Sequence, residues 1–372
     1  MKQENLTKFY RIFVSNLVGC ESTASEGNRV SQYLALNGHT ITETPDDVDY
    51  IVVNTCAFLE SHRNAIVTQM DNYIKQYPNA GMVIMGCVRE IAPHILTSYP
   101  TSLVCGHSDI EKLDSIFFRF VPFNHTPPYN WSKEFNRIVI PVGRGCIYKC
   151  SYCSIKKSIG FIKSRSIDAI VADVRSNLAA ENVRFLLAGD DLGSYGKDIQ
   201  SDLPELLKAI DAIDVDFSVL LSNIHPSGFL RYFEPISAFL SSAHASKWLF
   251  LPIQSANQQV LASMRRNYSM TEVCRRVDEL IQRIPTMRFY FDIIVGYPTE
   301  TEAAFDDTLG FMMQYPPTCM MIAKFSQEEG TEAARLSPIA DDIVKRRVKQ
   351  LNTVYRTICA YRGIPNARWG EE

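Results

Sequence analysis

Three cysteines within eight residues, Cys146, Cys150 and Cys153 in the spacing Cys-x3-Cys-x2-Cys, constrain this chain more than any other stretch of it. They follow the apolar run Ile138–Val142, so a strand ends there and delivers a loop carrying three soft ligands. A structural zinc site closes a tetrahedron with four Cys or His ligands. No fourth stands near, His107 and His125 lying well upstream and His225 well downstream. Three thiolates instead suit a [4Fe–4S] cluster with one iron left open for a small ligand.

The rest of the chain must support such a loop. At 372 residues it suggests two domains, or one barrel with an extension. Ten cysteines without a signal peptide argue against a secreted disulfide framework. No apolar run reaches the ~18 residues of a membrane span, so a cytoplasmic protein with reduced thiols and no membrane partner is expected. A net charge of −3 gives no overall sign of nucleic-acid binding. The local basic runs Arg275-Arg276 and Lys345-Arg346-Arg347 lie in helical patterns and are read as solvated faces.

Residues 8–120 alternate apolar runs with helical patterns, predicting a doubly wound α/β layer of about five parallel strands. Cys20 follows the first strand, Cys56 the third and Cys87 the fourth, so all three fall at the carboxyl edge where open α/β sheets collect ligands. Cys105 also ends a strand and is left open as a spare thiol; Cys274, Cys319 and Cys359 read as structural. Residues 122–136 have no hydrophobic period and read as a linker between this domain (1–121) and a second one (137–338). From Arg137 six strand-like runs alternate with helical patterns, predicting a partial (β/α)6 barrel with its chemistry at the carboxyl-terminal mouth. A last helix and tail occupy 339–372.

The Cys-x3-Cys-x2-Cys loop, with Tyr152 before its third thiol, resembles the signature of the radical S-adenosylmethionine (SAM) superfamily. In that superfamily the amino and carboxylate groups of SAM chelate the open iron. Asn16–Ser22, Ile51–Cys56 and Met85-Gly86-Cys87 are further similar to the amino-terminal domain of the methylthiotransferases, radical SAM enzymes that modify a tRNA base or a ribosomal-protein aspartate. That resemblance implies a second [4Fe–4S] cluster on Cys20, Cys56 and Cys87, whose open iron carries the sulfur to be transferred. It covers nearly the whole chain in order. The known members continue into a small TRAM-type β-barrel, and no strand-rich segment after Ala340 would make one.

The resemblance also implies SAM contacts: Gly189 and Asp190 at the amino group, Gln254 and Ser255 at the ribose or carboxylate, and Val295, Gly296 and the backbone of Tyr152 beside the adenine. Asp191 stands where family members carry Asp after Gln, and Asp190 departs from that Gln. Asp191, Tyr195, His225, Arg265 and Arg266 are possible substrate contacts, the arginines through a carboxylate or phosphate. The implied chemistry is a 5′-deoxyadenosyl radical abstracting a hydrogen from substrate, followed by sulfur insertion, with no side-chain acid or base assigned. The Gln-Ser and His-Pro details look like the tRNA branch. The acidic balance and missing module favour instead a peptide or protein residue, such as a ribosomally made precursor peptide, with tRNA as the alternative. A monomer reduced by a flavodoxin or ferredoxin is expected. A rival reading uses the second cluster only for electron transfer, and a non-enzymatic one places zinc on the thiols.

Overall fold

The computed structural model describes residues 8–17, 21–57, 60–107, 109–126, 131–132, 137–154, 158–178 and 183–364. Cys20 lies outside them, as does much of the expected linker. The chain divides into two compact units, 1–132 with 154–160, and 133–153 with 161–372.

The first unit is built on five parallel strands: β1 (Arg11–Asn16), β2 (Thr40–Thr42), β3 (Tyr50–Thr55), β4 (Gly81–Gly86) and β5 (Leu103–Cys105), in the order β2-β1-β3-β4-β5. Their apolar runs are continuous because both faces are covered. Val52 and Val83 pack on one side with Val30, Tyr33, Leu34 and Phe117, while Ile51, Val53 and Ile84 pack on the other with Ile66, Met70 and Tyr73. The strand order reverses direction between β1 and β3, the position at which such sheets open a crevice.

A two-residue strand, β6 (Trp131–Ser132), comes before the second unit in sequence. That unit carries β7 (Arg137–Pro141), the short hairpin of β8 (Gly143–Arg144) and β9 (Lys163–Ser164), and then β10 (Arg184–Ala188), β11 (Ser218–Leu221), β12 (Trp248–Phe250), β13 (Arg288–Val295) and β14 (Cys319–Lys324). Strands β7, β10 and β11 pair in parallel, as do β12, β13 and β14. A parallel bridge between Val219 and Ala245 joins the two sets into a six-stranded open barrel. Its lumen is floored by Val139, Leu186, Leu220, Trp248, Phe250 and Cys319. The opposite strand faces pack under the helices, with Phe185, Leu187, Val219, Phe291 and Ile293 buried there.

The expected α/β architecture is the observed one. The run Trp248–Ile253 is strand only to Phe250, because Pro252 offers no N–H and Gln254 turns the chain at φ 68°. Arg347 is not on a solvated face. Its guanidinium is buried and paired with buried Glu300 at 2.9 Å, with both side chains at most 3% exposed. Among the described residues no helix is long and apolar enough to cross a membrane.

Candidate metal centres

The loop Gly145–Cys153 leaves the hairpin of β8 and β9 and is fixed at several backbone points. Gly145 N–H donates to Asp190 Oδ2 at 2.6 Å, Ile147 N–H to Ser194 Oγ at 3.2 Å, and Ser151 N–H to Met264 O at 3.0 Å. Ala333 N–H donates in turn to Ser151 O, and the Ser151 hydroxyl donates to Ser263 O. The turn after β10 and the end of the helix Gln258–Ser263 therefore shape this loop before any ligand arrives.

The sulfurs meet donors. Tyr148 N–H points at Cys146 Sγ at 3.4 Å, and Arg266 Nη1 at Cys150 Sγ at 3.6 Å. Burial, with Asp191 nearby, pushes the metal-free Cys146 thiol up to about 12. A buried thiol that accepts hydrogen bonds is poorly placed to ionise alone and well placed as a thiolate ligated to iron. The donor set therefore fits a cluster with thiolate ligands. Among the described residues no three Cys, His, Asp or Glu side chains converge closely enough to hold a single metal ion.

Several side chains expected to touch ligand support the loop instead. Asp190 is committed to Gly145 N–H and to Arg144 Nε at 3.4 Å. Asp191 is buried and accepts from Gly193 N–H, His225 N–H and the Ser194 hydroxyl, so it organises the turn rather than facing substrate. Tyr195 is fully buried and donates to Arg165 O at 2.8 Å. Arg266, 3% exposed, reaches Cys150 Sγ, Tyr152 Oη at 3.2 Å and Pro252 O, which leaves it no substrate-facing role. Ser255 is fully buried and caps its own turn by accepting from Asn257 N–H.

Other expected residues keep positions compatible with a ligand. Arg265 is exposed beside Glu332 at 2.8 Å. Gln254 holds a left-handed φ next to β13, its N–H donating to Asp292 O. Gly189 sits at the end of β10, its N–H donating to Ser222 Oγ. Val295 buries its side chain among the helices, so only backbone is free to flank a ligand there. Gly296, at φ 84°, donates its N–H to Glu300, and a Cβ there would meet Val344 Cγ2 at 2.6 Å. His225 caps the helix Pro226–Arg231 through Nδ1 and stacks on Tyr148 at 3.8 Å. Its Nε2 meets no polar partner among the described residues, and burial holds the imidazole neutral.

The sequence reading overlooked Asp292. By alternation along β13 it points into the lumen with Tyr290, and its Oδ1 accepts no hydrogen bond among the described residues. Burial pushes its carboxyl up to about 6. A charge in the middle of an apolar strand was the available signal.

In the first unit Cys56 and Cys87 follow the adjacent strands β3 and β4 and are 3% and 6% exposed. Cys87 N–H donates to Thr55 O, and the approach needs glycine before it, since a Cβ on Gly86 (φ 97°) would meet Thr55 O at 2.3 Å. Cys105, left open above, is fully buried, and its thiol is pushed up to about 12 by burial.

The sequence pattern of the Radical SAM superfamily matches residues 140–312, and that of the uncharacterized protein family UPF0004 matches residues 11–106. The chain is 26% identical over 359 residues to a probable threonylcarbamoyladenosine tRNA methylthiotransferase of Pyrococcus abyssi, covering 92% of this chain and 83% of that protein. These matches support a radical SAM enzyme of the methylthiotransferase type. Two vertebrate threonylcarbamoyladenosine tRNA methylthiotransferases are similar over 92% of the chain: that of Danio rerio at 28% identity and that of Homo sapiens at 27%. The chain spans 66% and 62% of their lengths. Two solved structures share the fold. One is the radical SAM methyltransferase TsrM from Kitasatospora setae (TM-score 0.64, 13% identity, 88% of this chain and 77% of that one). The other is the radical SAM enzyme OxsB (TM-score 0.58, 9% identity, 94% and 56%). The cofactors of a radical SAM methylthiotransferase are SAM and [4Fe–4S] clusters.

Proposed function

We propose that this protein is a tRNA methylthiotransferase acting on a modified adenosine, of the threonylcarbamoyladenosine type named for its relatives. The observation that carries this reading is the similarity to those enzymes over 92% of the chain, through both cysteine sets. It is preferred over the expected peptide substrate because the relatives named above are tRNA methylthiotransferases. We assign Cys146, Cys150 and Cys153 to the cluster that cleaves SAM, and Cys56 and Cys87, with Cys20 outside the described residues, to a second cluster.

A cluster held by Cys146, Cys150 and Cys153 would supply the electron for reductive cleavage of SAM. The chain's own residues do the positioning. Asp190, Ser194 and Met264 hold the loop backbone, and Arg266 places a permanent cation beside Cys150 Sγ. The apolar floor of Trp248, Phe250 and Leu220 closes the lumen from below, which limits water at the mouth. His225 Nε2 and Asp292 Oδ1 are two buried polar atoms available to orient what enters.

The test is nucleoside mass spectrometry of tRNA from a host lacking its own enzyme and expressing this chain. A methylthio derivative of threonylcarbamoyladenosine is expected. Substituting Cys56 and Cys87 by Ala should abolish it while SAM cleavage to 5′-deoxyadenosine persists. Unmodified tRNA together with a methylthiolated peptide would return the substrate to the peptide class.

A further inference from the structure

His107 lies two residues beyond the end of β5, the strand next to β4, and this order brings its ring to Cys87. Its Nε2 is 3.0 Å from Cys87 Sγ, and its Nδ1 is 2.6 Å from Glu26 Oε2. The three side chains are shielded: His107 is 7% and Glu26 16% exposed, and Cys87 is 6% exposed. The turn carrying the histidine is itself tied down, because Asp109 Oδ1 accepts from Gly106 N–H at 2.8 Å while Oδ2 pairs with Lys112 and Arg89.

We infer that His107, held by Glu26, is a positioning residue that donates a hydrogen bond to the Cys87 thiolate and so sets the reduction potential of the cluster in the first unit. The inference rests on the reading of Cys56 and Cys87 as cluster ligands. The Glu26 carboxylate meets Nδ1 as an ion pair rather than as an aligned hydrogen bond, and this charge contact keeps the ring beside Cys87. Carboxylate and thiolate are both acceptors, so the ring between them carries hydrogen on both nitrogens and donates from Nε2 to the sulfur. A hydrogen bond to a ligating sulfur withdraws charge from the cluster and favours its reduced form, and burial makes that effect larger.

The experiment uses the full chain with Cys146, Cys150 and Cys153 replaced by Ala, reconstituted anaerobically with iron and sulfide, so that only the first unit can hold a cluster. Iron content, the EPR spectrum of the reduced protein and a spectroelectrochemical titration are measured with His107 intact and in His107→Leu, His107→Gln and Glu26→Gln. About four irons per chain are expected throughout. The midpoint potential should fall in His107→Leu, recover in part in His107→Gln, which keeps an N–H donor, and fall less in Glu26→Gln. An unchanged potential and EPR spectrum in His107→Leu would overturn the inference while leaving the ligand reading intact. Loss of iron from both His107 variants, with the circular dichroism unchanged, would also overturn it by making His107 a requirement for holding the cluster. No cluster in the protein with His107 intact would refute the ligand reading itself, and the inference with it.

Discussion

Asp190 shows how a motif residue can look like a ligand contact and act as a brace. The sequence suggested that its carboxylate receives the SAM ammonium, but its Oδ2 is filled by Gly145 N–H and Arg144. Replacing it with Ala should leave Gly145 N–H unsatisfied and lower iron bound by the Cys146 loop, whereas Asp190→Asn keeps an acceptor and should load normally. Iron and sulfide assays on a Cys56→Ala/Cys87→Ala background would check this; full loading with weakened SAM binding would restore the ligand role. Asp292 supports a pH prediction. Its folded carboxyl keeps its proton to about pH 6, while an unfolded aspartate loses it near 3.8. Between these values the folded state binds more protons, so this group's contribution to stability falls as pH rises and is level above about 6. Relative to wild type, cluster-free Asp292→Asn should gain on the order of 1 kcal/mol between pH 5 and pH 7.5, read from denaturant midpoints. What Asp190 does was not legible in the sequence, because its partners Gly145 and Arg144 lie 45 and 46 residues away.

At the scale of elements the strands were legible. Apolar runs such as Tyr50–Val53 and Met287–Val295 are long, β-branched and bounded by turns, and the structure follows them within a residue or two. The burial of one residue within a basic run was not. Arg347 sits in the helix Asp341–Arg362 and reaches back to Glu300 O, Glu300 Oε2 and Glu302 Oε1. Glu300 also receives Gly296 N–H, so the last described helix braces the turn after β13. Removing one charge strands the other in the interior: Arg347→Met should cost about 3–5 kcal/mol, and Arg347→Met/Glu300→Gln distinctly less. Urea unfolding of the single and double variants measures the difference. Equal losses would show that packing of the arginine stem, not the buried charge, dominates.

On the scale of the whole molecule, the two proposed ligand sets are gathered in different ways. Cys146, Cys150 and Cys153 come from one connection after β8, whereas Cys56 and Cys87 come from separate strand ends 31 residues apart and meet only where β3 pairs with β4. Closing a short loop costs an unfolded chain less entropy than closing a long one, so the first set can capture iron before folding and the second cannot. On the proposed assignment, cluster assembly is expected in an order, with the barrel's iron entering early and the sheet's after its parallel strands have registered. In a graded urea series of the holoprotein, iron should leave the first unit together with its strand structure, while the contiguous thiols of the second retain theirs into higher urea. The Cys-to-Ala backgrounds above separate the two losses, and simultaneous release from both would contradict the order.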